Sequence, residues 1–312
     1  VNVMAAADAD GLAREHRRYL WGLCYRLTGS AADADDLVQE TLLRAIERPP
    51  VRTDEPVRPW LTRVAVNLGI DRLRARRRRA YDGPWLPSPV ETEGDFEQEI
   101  AIEPVETEGR YDLLESVSMA FLVALEALTP RQRAIVLLCD VFDWSVKEAA
   151  DALEMTEPAV KTMHHRARRA LSAYEASRTR RTPEHVEKTR DALGRFLLAL
   201  AATDGKALES LLDAEVRHLS DGGGEFFAAR LPILGRDRVS RLMMGLAKRS
   251  TGTAERFAFR MVNGMPAVVL EHAPGRKIAP RTVVQCDIGE DGAIRAIYWV
   301  LATKKLSAVG PI

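Results

Sequence analysis

Apolar and polar positions change their period along this chain, and the changes divide it into four pieces. Between residues 11 and 80 apolar side chains recur three or four apart, which predicts helices. Tyr19, Leu20, Leu23, Cys24 and Leu27 form one stripe, and Leu37, Val38, Thr41, Leu42 and Ala45 form a second. A third begins at Trp60, with Leu61, Val64, Ala65 and Leu68 facing inward. Ser30 and Asp33 give the second helix a start like a capping box, and Asp33, Asp35 and Asp36 occupy its positive first turn. Pro49-Pro50 stops that helix and leads into an irregular loop that ends at Arg58-Pro59. Residues 81–112 have almost no periodicity: Asp82-Gly83-Pro84 and Pro87-Ser88-Pro89 are followed by Glu-rich sequence, as expected of a linker. Helical spacing returns over 113–176.

Residues 177–312 change character again. An Arg-rich hinge from Arg178 to Pro183 leads into predicted helices at 184–202, 205–212 and 236–249. Strand-like segments are read at 214–219, 225–231, 255–262, 266–272, 281–288 and 293–301. Long helices followed by mostly antiparallel strands predict a separate α+β domain. The expected organisation is therefore two all-α units, 1–80 and 113–176, joined by a linker at 81–112 and followed by an α+β domain at 177–312.

The stretch from Trp144 to Leu171 reads as a helix-turn-helix. Ser145 and Glu148 make a capping box, and Ala149, Ala150 and Leu153 give a small apolar face. Glu154 to Glu157 spans a tight turn, after which Thr156 caps a second helix with Pro158 in its first turn. Val160, Met163, Ala167, Ala170 and Leu171 form the expected buried stripe, and Lys161, Thr162, His165, Arg166, Arg168 and Arg169 lie opposite. That face suits DNA, with donors for base edges near the helix start and cations for phosphates further along. An ordinary amphipathic helix with a solvated basic face is the alternative. Upstream, Thr129-Pro130-Arg131-Gln132 is a second capping box leading into Ile135 to Leu138.

Net charge is zero, with 45 basic and 45 acidic residues among 312, so only the distribution of charge is informative. Residues 60–80 hold seven Arg against one Asp, and 161–181 hold seven Lys/Arg against one Glu. Between them, 81–112 holds ten Asp/Glu against one Arg. Two basic segments separated by an acidic tether suggest two DNA contacts on one chain. Cys24, Cys139 and Cys286 are scattered without metal spacing, so neither structural zinc nor a disulfide framework is expected, as befits a reducing cytosol. No apolar run has membrane-spanning length, and Asp8 and Asp10 do not suit a signal peptide. A cytoplasmic protein without a membrane partner and without a cofactor is expected.

Within the first unit, Asp36, Gln39, Glu40 and Arg44 project from a helix whose other side is apolar, which gives either a protein-binding surface or a solvated face. On the third helix Arg63, Asn67, Asp71, Arg74 and Arg78 fall three or four apart. The run Arg74 to Arg79 suits a phosphate backbone. Asn67 serves either a base or local backbone. Trp85-Leu86-Pro87 would be costly to leave wet, so it is expected to dock on a domain.

These residues resemble a known family. Asp33 to Ala45 and Trp60 to Arg78 are similar to region 2 of extracytoplasmic-function (ECF) sigma factors, and Leu128-Thr-Pro-Arg-Gln-Arg133 with the helix-turn-helix is similar to their region 4. The third piece resembles the SnoaL-like extension, an NTF2-like cone, that marks one ECF subgroup. That subgroup's linker motif Trp-Leu-Pro-Glu-Pro stands here as Trp85-Leu-Pro-Ser-Pro89, and its Asp-Gly-Gly-Gly-Lys motif as Asp221-Gly222-Gly223-Gly224-Glu225. Its C-terminal Asn-Pro-Asp-Lys-Leu aligns with Ala302-Thr-Lys-Lys-Leu306 and keeps only the last two residues. Glu225 reverses a charge and Ser88 replaces the linker glutamate.

The resemblance implies roles. Asp33, Asp36, Gln39, Glu40 and Arg44 would dock on core RNA polymerase. Helix 60–78, through Arg63, Asn67, Arg74, Arg76, Arg77 and Arg78, would melt and hold the −10 element with the loop 49–58. Helix 157–169 would read the −35 element of promoter double-stranded DNA. The linker would thread the polymerase, and the extension would regulate in cis through Trp85, Leu86, Pro87 and Asp221 to Glu225. SnoaL-like domains also include acid–base isomerases and cyclases, for which His218, Asp221, Glu271 and His272 are the candidates here. A small-molecule ligand sensed in the cone is a further alternative. No pair of candidates has a diagnostic spacing, and fold likeness alone confers no chemistry.

Overall fold

The computed structural model describes residues 3–47, 57–79, 81–92, 110–250, 254–273 and 278–312. The Pro49-Pro50 stop, most of the loop 49–58 and the Glu-rich half of the linker lie outside them. The described residues form two compact units. One lies within Val1–Ala80, Gly94–Val117 and Phe121–Tyr174, and the other within Tyr81–Glu93, Ser118–Ala120 and Glu175–Ile312.

The first unit begins with α1 (Val3–Thr28), α2 (Ala31–Glu47) and α3 (Val57–Arg78). Tyr19, Leu20, Leu23, Cys24 and Leu27 of α1 are buried, as are Leu37, Val38, Thr41 and Ala45 of α2. The buried stripe of α3 is rotated from the expected one: Leu61, Ala65, Val66, Ile70 and Leu73 are buried, while Val64 and Leu68 are half-buried. Gly69 explains the fit, since a Cβ there would come within 2.3 Å of Leu27 Cδ2. Its absence lets α1 and α3 approach closely. Arg72 ties α3 to α2, donating from Nη1 to Asp33 Oδ1 at 2.8 Å.

The helical half that follows contains α4 (Met119–Ala124) and α5 (Pro130–Val136), which continues into a π-helical turn at Leu137–Val141. Next come α6 (Val146–Leu153), α7 (Glu157–Ala170) and α8 (Ser172–Ser177). Both expected capping boxes are present. Thr129 Oγ1 accepts from Gln132 N while Gln132 Oε1 accepts from Thr129 N. Ser145 Oγ accepts from Glu148 N, and Glu148 Oε2 accepts from Ser145 N. The α6–α7 turn passes through Glu154 in the left-handed region (φ 52°), which reverses the chain within a few residues.

Buried arginines join this half to the first three helices. Arg26 of α1 is fully buried and donates to Ser116 Oγ (2.7 Å) and to the carbonyls of Gly22 and Leu113. Arg133 of α5 donates to the carbonyls of Leu27 and Leu125, capping the C-terminal end of α1.

The second unit packs α9 (Pro183–Ala201), α10 (Gly205–Leu211) and α11 (Arg236–Ser250) on a six-stranded sheet. Its strands are β1 (Leu212–Asp221), β2 (Ile233–Leu234), β3 (Ala254–Val262), β4 (Met265–His272), β5 (Arg281–Ile288) and β6 (Ile294–Val300). Their order is β2-β1-β6-β5-β4-β3, antiparallel except for the β1–β6 pair. Leu193, Phe196, Val216, Met243, Val284 and Ile297 belong to its core. This is an α+β cone of the NTF2-like kind. One expected strand is absent: 225–231 forms turns and bends, and pairing with β1 begins only at Ile233. Pro232, which has no N–H to donate to a ladder, stands just before that point.

Candidate nucleic-acid interface

On α7 the structure separates the two faces expected from the sequence, with three differences. Val160, Ala167 and Leu171 are buried, and Lys161, Thr162, His165, Arg166 and Arg169 are exposed. Ala170, expected inside, is exposed, and Met163, also expected inside, is only half-buried. Arg168, expected on the open face, instead reaches inward to Asp140 and donates from both Nε and Nη2. The Thr162 hydroxyl donates to Pro158 O in its own helix.

The basic end of α3 is also partly occupied. Arg76 donates to Thr28 O (2.6 Å) and from Nη2 to both carboxylate oxygens of Glu126 (2.8 Å each), and Arg77 donates to Leu128 O. Burial works against the charge of Glu126, but Arg133 and Arg76 outweigh it and hold its carboxyl below the usual range. Arg74 pairs with Asp71 on the surface, and Arg78 and Arg79 are exposed. Arg63 lines a cavity of about 360 Å³ together with Tyr19, Arg58, Phe142, Trp144 and Glu148. Asn67 is half-buried.

On α2, Asp36, Gln39 and Arg44 are exposed, Glu40 accepts from Arg44 at 2.7 Å, and Asp33 is turned toward Arg72. Sequence reasoning missed the apolar members of this face: Leu43 is 51% and Ile46 40% exposed. Leu43 lies seven residues after Asp36 and so on the same side, which makes the surface mixed rather than purely polar.

In the second unit the three motif segments converge on one buried carboxylate. Asp221, 1% exposed at the end of β1, accepts from the Tyr81 hydroxyl (2.5 Å), Leu86 N (2.7 Å), Lys305 Nζ (2.6 Å) and Gly223 N (2.9 Å). The Lys305 ammonium also donates to Leu86 O and stands 4.0 Å from the Trp85 ring centre. Leu86, Pro87, Ser88, Pro89 and Val90 are all buried. Val90 N donates to Asn263 Oδ1, and residues 90–92 pair with the end of β3 through Asn263 N to Val90 O and Thr92 N to Met261 O. The glycines form a turn: a Cβ at Gly222 would meet Phe226 O at 2.2 Å, and Gly223 and Gly224 have φ of 60° and 75°. Glu225 follows them, exposed. Lys305, which with Leu306 is all that is kept of its motif, thus joins the linker to Asp221.

The four acid–base candidates are not assembled. His218 and Asp221 lie an odd number of residues apart on β1 and so on opposite faces, as do Glu271 and His272 on β4. Glu271 is held by Arg256 and Arg281. His218 is buried edge-on to Trp299, and burial pushes its pKa down to about 4. On β5, burial pushes the Asp287 carboxyl up to about 6, outweighing Arg217 and Arg295.

These two shifts oppose each other. A histidine with a depressed folded pKa contributes stability that is lost as pH falls from about 6.5 toward 4. A carboxyl with a raised folded pKa contributes stability that is gained over about 6 to 4. Each is worth on the order of 3 kcal/mol. Asp287→Asn is therefore expected to make the second unit's stability fall on acidification between pH 6.5 and 4, and His218→Leu to make it rise. Urea midpoints measured across that range check both signs, and parallel pH profiles for the two variants would contradict them.

Two helical halves, one carrying a helix-turn-helix with an exposed basic face and the other a basic helix beside an acidic one, define a transcription initiation factor of the sigma class. The sequence comparisons agree: the Sigma-70 region 2 family matches residues 12–79, and the Sigma-70, region 4 family matches residues 118–171. The chain belongs to the ECF RNA polymerase sigma factors. It is 34% identical over 290 residues to ECF RNA polymerase sigma factor SigJ of Mycobacterium tuberculosis (strain ATCC 25618 / H37Rv), covering 90% of this chain and 88% of that one. It is 28% identical over 261 residues to the probable ECF RNA polymerase sigma factor SigI of M. tuberculosis (strain CDC 1551 / Oshkosh), covering 82% of each. The crystal structure of M. tuberculosis SigJ superposes with a TM-score of 0.72 at 29% identity, over 93% of this chain and 95% of that one. Among the described residues no helix is long and apolar enough to cross a membrane.

Proposed function

We propose that this ECF sigma factor divides its work among three surfaces and is regulated in cis by its cone domain, in the cytoplasm. The α2 face of Asp36, Gln39, Glu40, Leu43 and Arg44 docks on core RNA polymerase. The α3 helix acts on the −10 element, through Arg63, Asn67, Arg74 and Arg78. The exposed face of α7 reads the −35 element, with Lys161, Thr162 and His165 placed for bases and Arg166 and Arg169 for phosphates. Segregation of exposed donors from the buried Val160, Ala167 and Leu171 supports that last assignment.

The observation that carries cis regulation is the Asp221 cluster, which holds the linker at Tyr81 and Leu86. Only Arg79 and Ala80 separate α3 from the clasped segment in the chain, so the segment the cone domain holds follows a DNA-binding helix after two residues. A linker that threads the polymerase has to leave this clasp first. The cone domain is read as regulatory rather than catalytic, because the linker occupies Asp221 and two arginines occupy Glu271.

In this reading Lys161→Ala or Arg166→Ala lowers discrimination between matched and altered −35 sequences, with about 1–3 kcal/mol lost per base-specific contact. Replacing Arg78 and Arg79 with glutamine instead weakens binding to all sequences and flattens the dependence on salt by about one to two in log–log slope. These two are preferable to Arg76 and Arg77, whose removal also breaks ties to Glu126 and Leu128. Holoenzyme binding titrations at several salt concentrations separate the two effects. Unchanged promoter selectivity in the Lys161 and Arg166 variants would move the −35 reader elsewhere.

A further inference from the structure

We infer that Asp140 is a positioning residue for promoter reading: its carboxylate fixes the rotation of α7 about its own axis and so sets which side chains face the −35 bases. The inference rests on α7 being the −35 reader. Apolar packing holds this helix through few side chains: Val160, Ala167 and the following Leu171 are buried, and Met163 is half-buried. The three buried residues project in nearly one direction and Met163 lies on the flank away from His164, so apolar contacts leave the edge beside the basic face without an anchor of their own.

A second anchor lies on the neighbouring flank. His164 and Arg168, one turn apart, both reach the same carboxylate. His164 Nε2 lies 2.8 Å from Asp140 Oδ2, Arg168 Nε donates to Oδ2 at 3.2 Å, and Arg168 Nη2 donates to Oδ1. Asp140 is itself immobile: it is 1% exposed, it sits in the π-helical turn at Leu137–Val141, and its carbonyl accepts from Tyr111 N at 3.0 Å. Burial opposes its charge, but the hydrogen bonds from His164 and Arg168 outweigh this and hold the carboxyl below its usual range. At 100° per residue, His164 and Arg168 fall between the buried line and Lys161, at the edge of the exposed basic face. Two points of attachment on adjacent flanks remove the rotation that one line of contacts permits.

The arrangement also reassigns Arg168. Arg168 Nε and Nη2 are both directed to a buried carboxylate, so although its side chain is 42% exposed, Arg168 is assigned to specificity through placement before affinity through charge. Breaking the contact from the Asp140 side frees an arginine beside the DNA-reading face. This gives an outcome that simple destabilisation does not.

The test uses the full chain as holoenzyme with core polymerase, on a promoter selected by the wild-type holoenzyme from a library randomised at −35 and on a duplex of unrelated sequence. Asp140→Asn is expected to lower discrimination between the two by about fivefold or more. At the same time it should leave binding to the unrelated duplex undiminished and steepen its salt slope by about one. Arg168→Gln, which needs no change in the buried site, is expected to lower discrimination while leaving the salt slope unchanged. This second variant decides the matter if Asp140→Asn does not fold. Lys161→Ala in the same assay tests the reader assignment separately: if it too leaves discrimination unchanged, α7 is not the reader. Unchanged discrimination in folded Arg168→Gln alongside a loss in Lys161→Ala overturns the positioning role. So does a salt slope flattened by about one in Arg168→Gln, which would make Arg168 a phosphate ligand.

Discussion

Replacing Asp36 and Glu40 together with arginine is expected to abolish binding to core RNA polymerase without unfolding the protein. On α2 these two residues and Leu43 lie four and then three positions apart, forming one continuous stripe on the helix surface. Their side chains are 63% and 44% exposed, and Leu43 is 51% exposed. Reversing two charges around an exposed leucine places cations where the partner surface meets anions, and such like-charge juxtaposition costs several kcal/mol. A loss of about 100-fold in affinity corresponds to only about 2.7 kcal/mol, so the double substitution is expected to exceed it. The fold should tolerate the change. Arg72 keeps its 2.8 Å contact with Asp33 when the 3.5 Å contact with Asp36 is lost, and the exposed Glu40–Arg44 pair is worth about 0.3–0.5 kcal/mol. Co-purification with core polymerase, alongside circular dichroism and a melting curve, measures both halves of the claim. Core binding at wild-type strength by a folded double variant would show that the docking surface is elsewhere.

What could be read in advance follows from how far apart the interacting residues lie in sequence. Both capping boxes, Thr129 with Gln132 and Ser145 with Glu148, are complete within four residues, so the starts of α5 and α6 were visible in the sequence. The helical stripes of α1 and α2 were visible for the same reason. The stripe of α3 is rotated from the expected one because Gly69, with no side chain to count as apolar, is a buried position where a Cβ would meet Leu27 of α1. Residues 225–231 have the composition of a strand, but three glycines and Pro232 bound them, and turn geometry prevails.

The roles of the basic residues were harder to see. Arg76 meets Glu126 fifty residues away, and Arg168 meets Asp140 twenty-eight residues away. Nothing local distinguishes these arginines from neighbours that stay exposed, such as Arg78 and Arg169. Lys305 is the extreme case: it lies 219 residues from Leu86 and 84 from Asp221, and its place between them is a property of the folded cone alone.

Removal of residues 182–312 is expected to free the linker and to change promoter-dependent transcription by at least several-fold. Leu86 and Val90 are completely buried, and returning each to water costs about 1.5–3 kcal/mol. Without the cone they have no such site, and Leu86 N and the Tyr81 hydroxyl lose the Asp221 carboxylate. The clasp also has a weak point that a single substitution reaches. Lys305→Met removes the ammonium that compensates a buried carboxylate, and stripping one partner from a buried pair costs about 3–5 kcal/mol. Trp85→Ala removes the aromatic face beneath that ammonium and is expected to reproduce part of the effect while leaving isolated −35 binding unchanged. Limited proteolysis reports directly on the linker: cleavage within residues 81–92 should accelerate by about tenfold or more in Lys305→Met, as expected when local opening becomes more favourable by over 1.4 kcal/mol. In vitro transcription with core polymerase then compares full-length, truncated and Lys305→Met proteins on one promoter. Regulation in cis requires the point variant to move transcription in the same direction as the truncation, because both release the same segment. Equal transcription from all three, with residues 81–92 cleaved no faster in Lys305→Met than in the native chain, would reduce the cone to a passive extension.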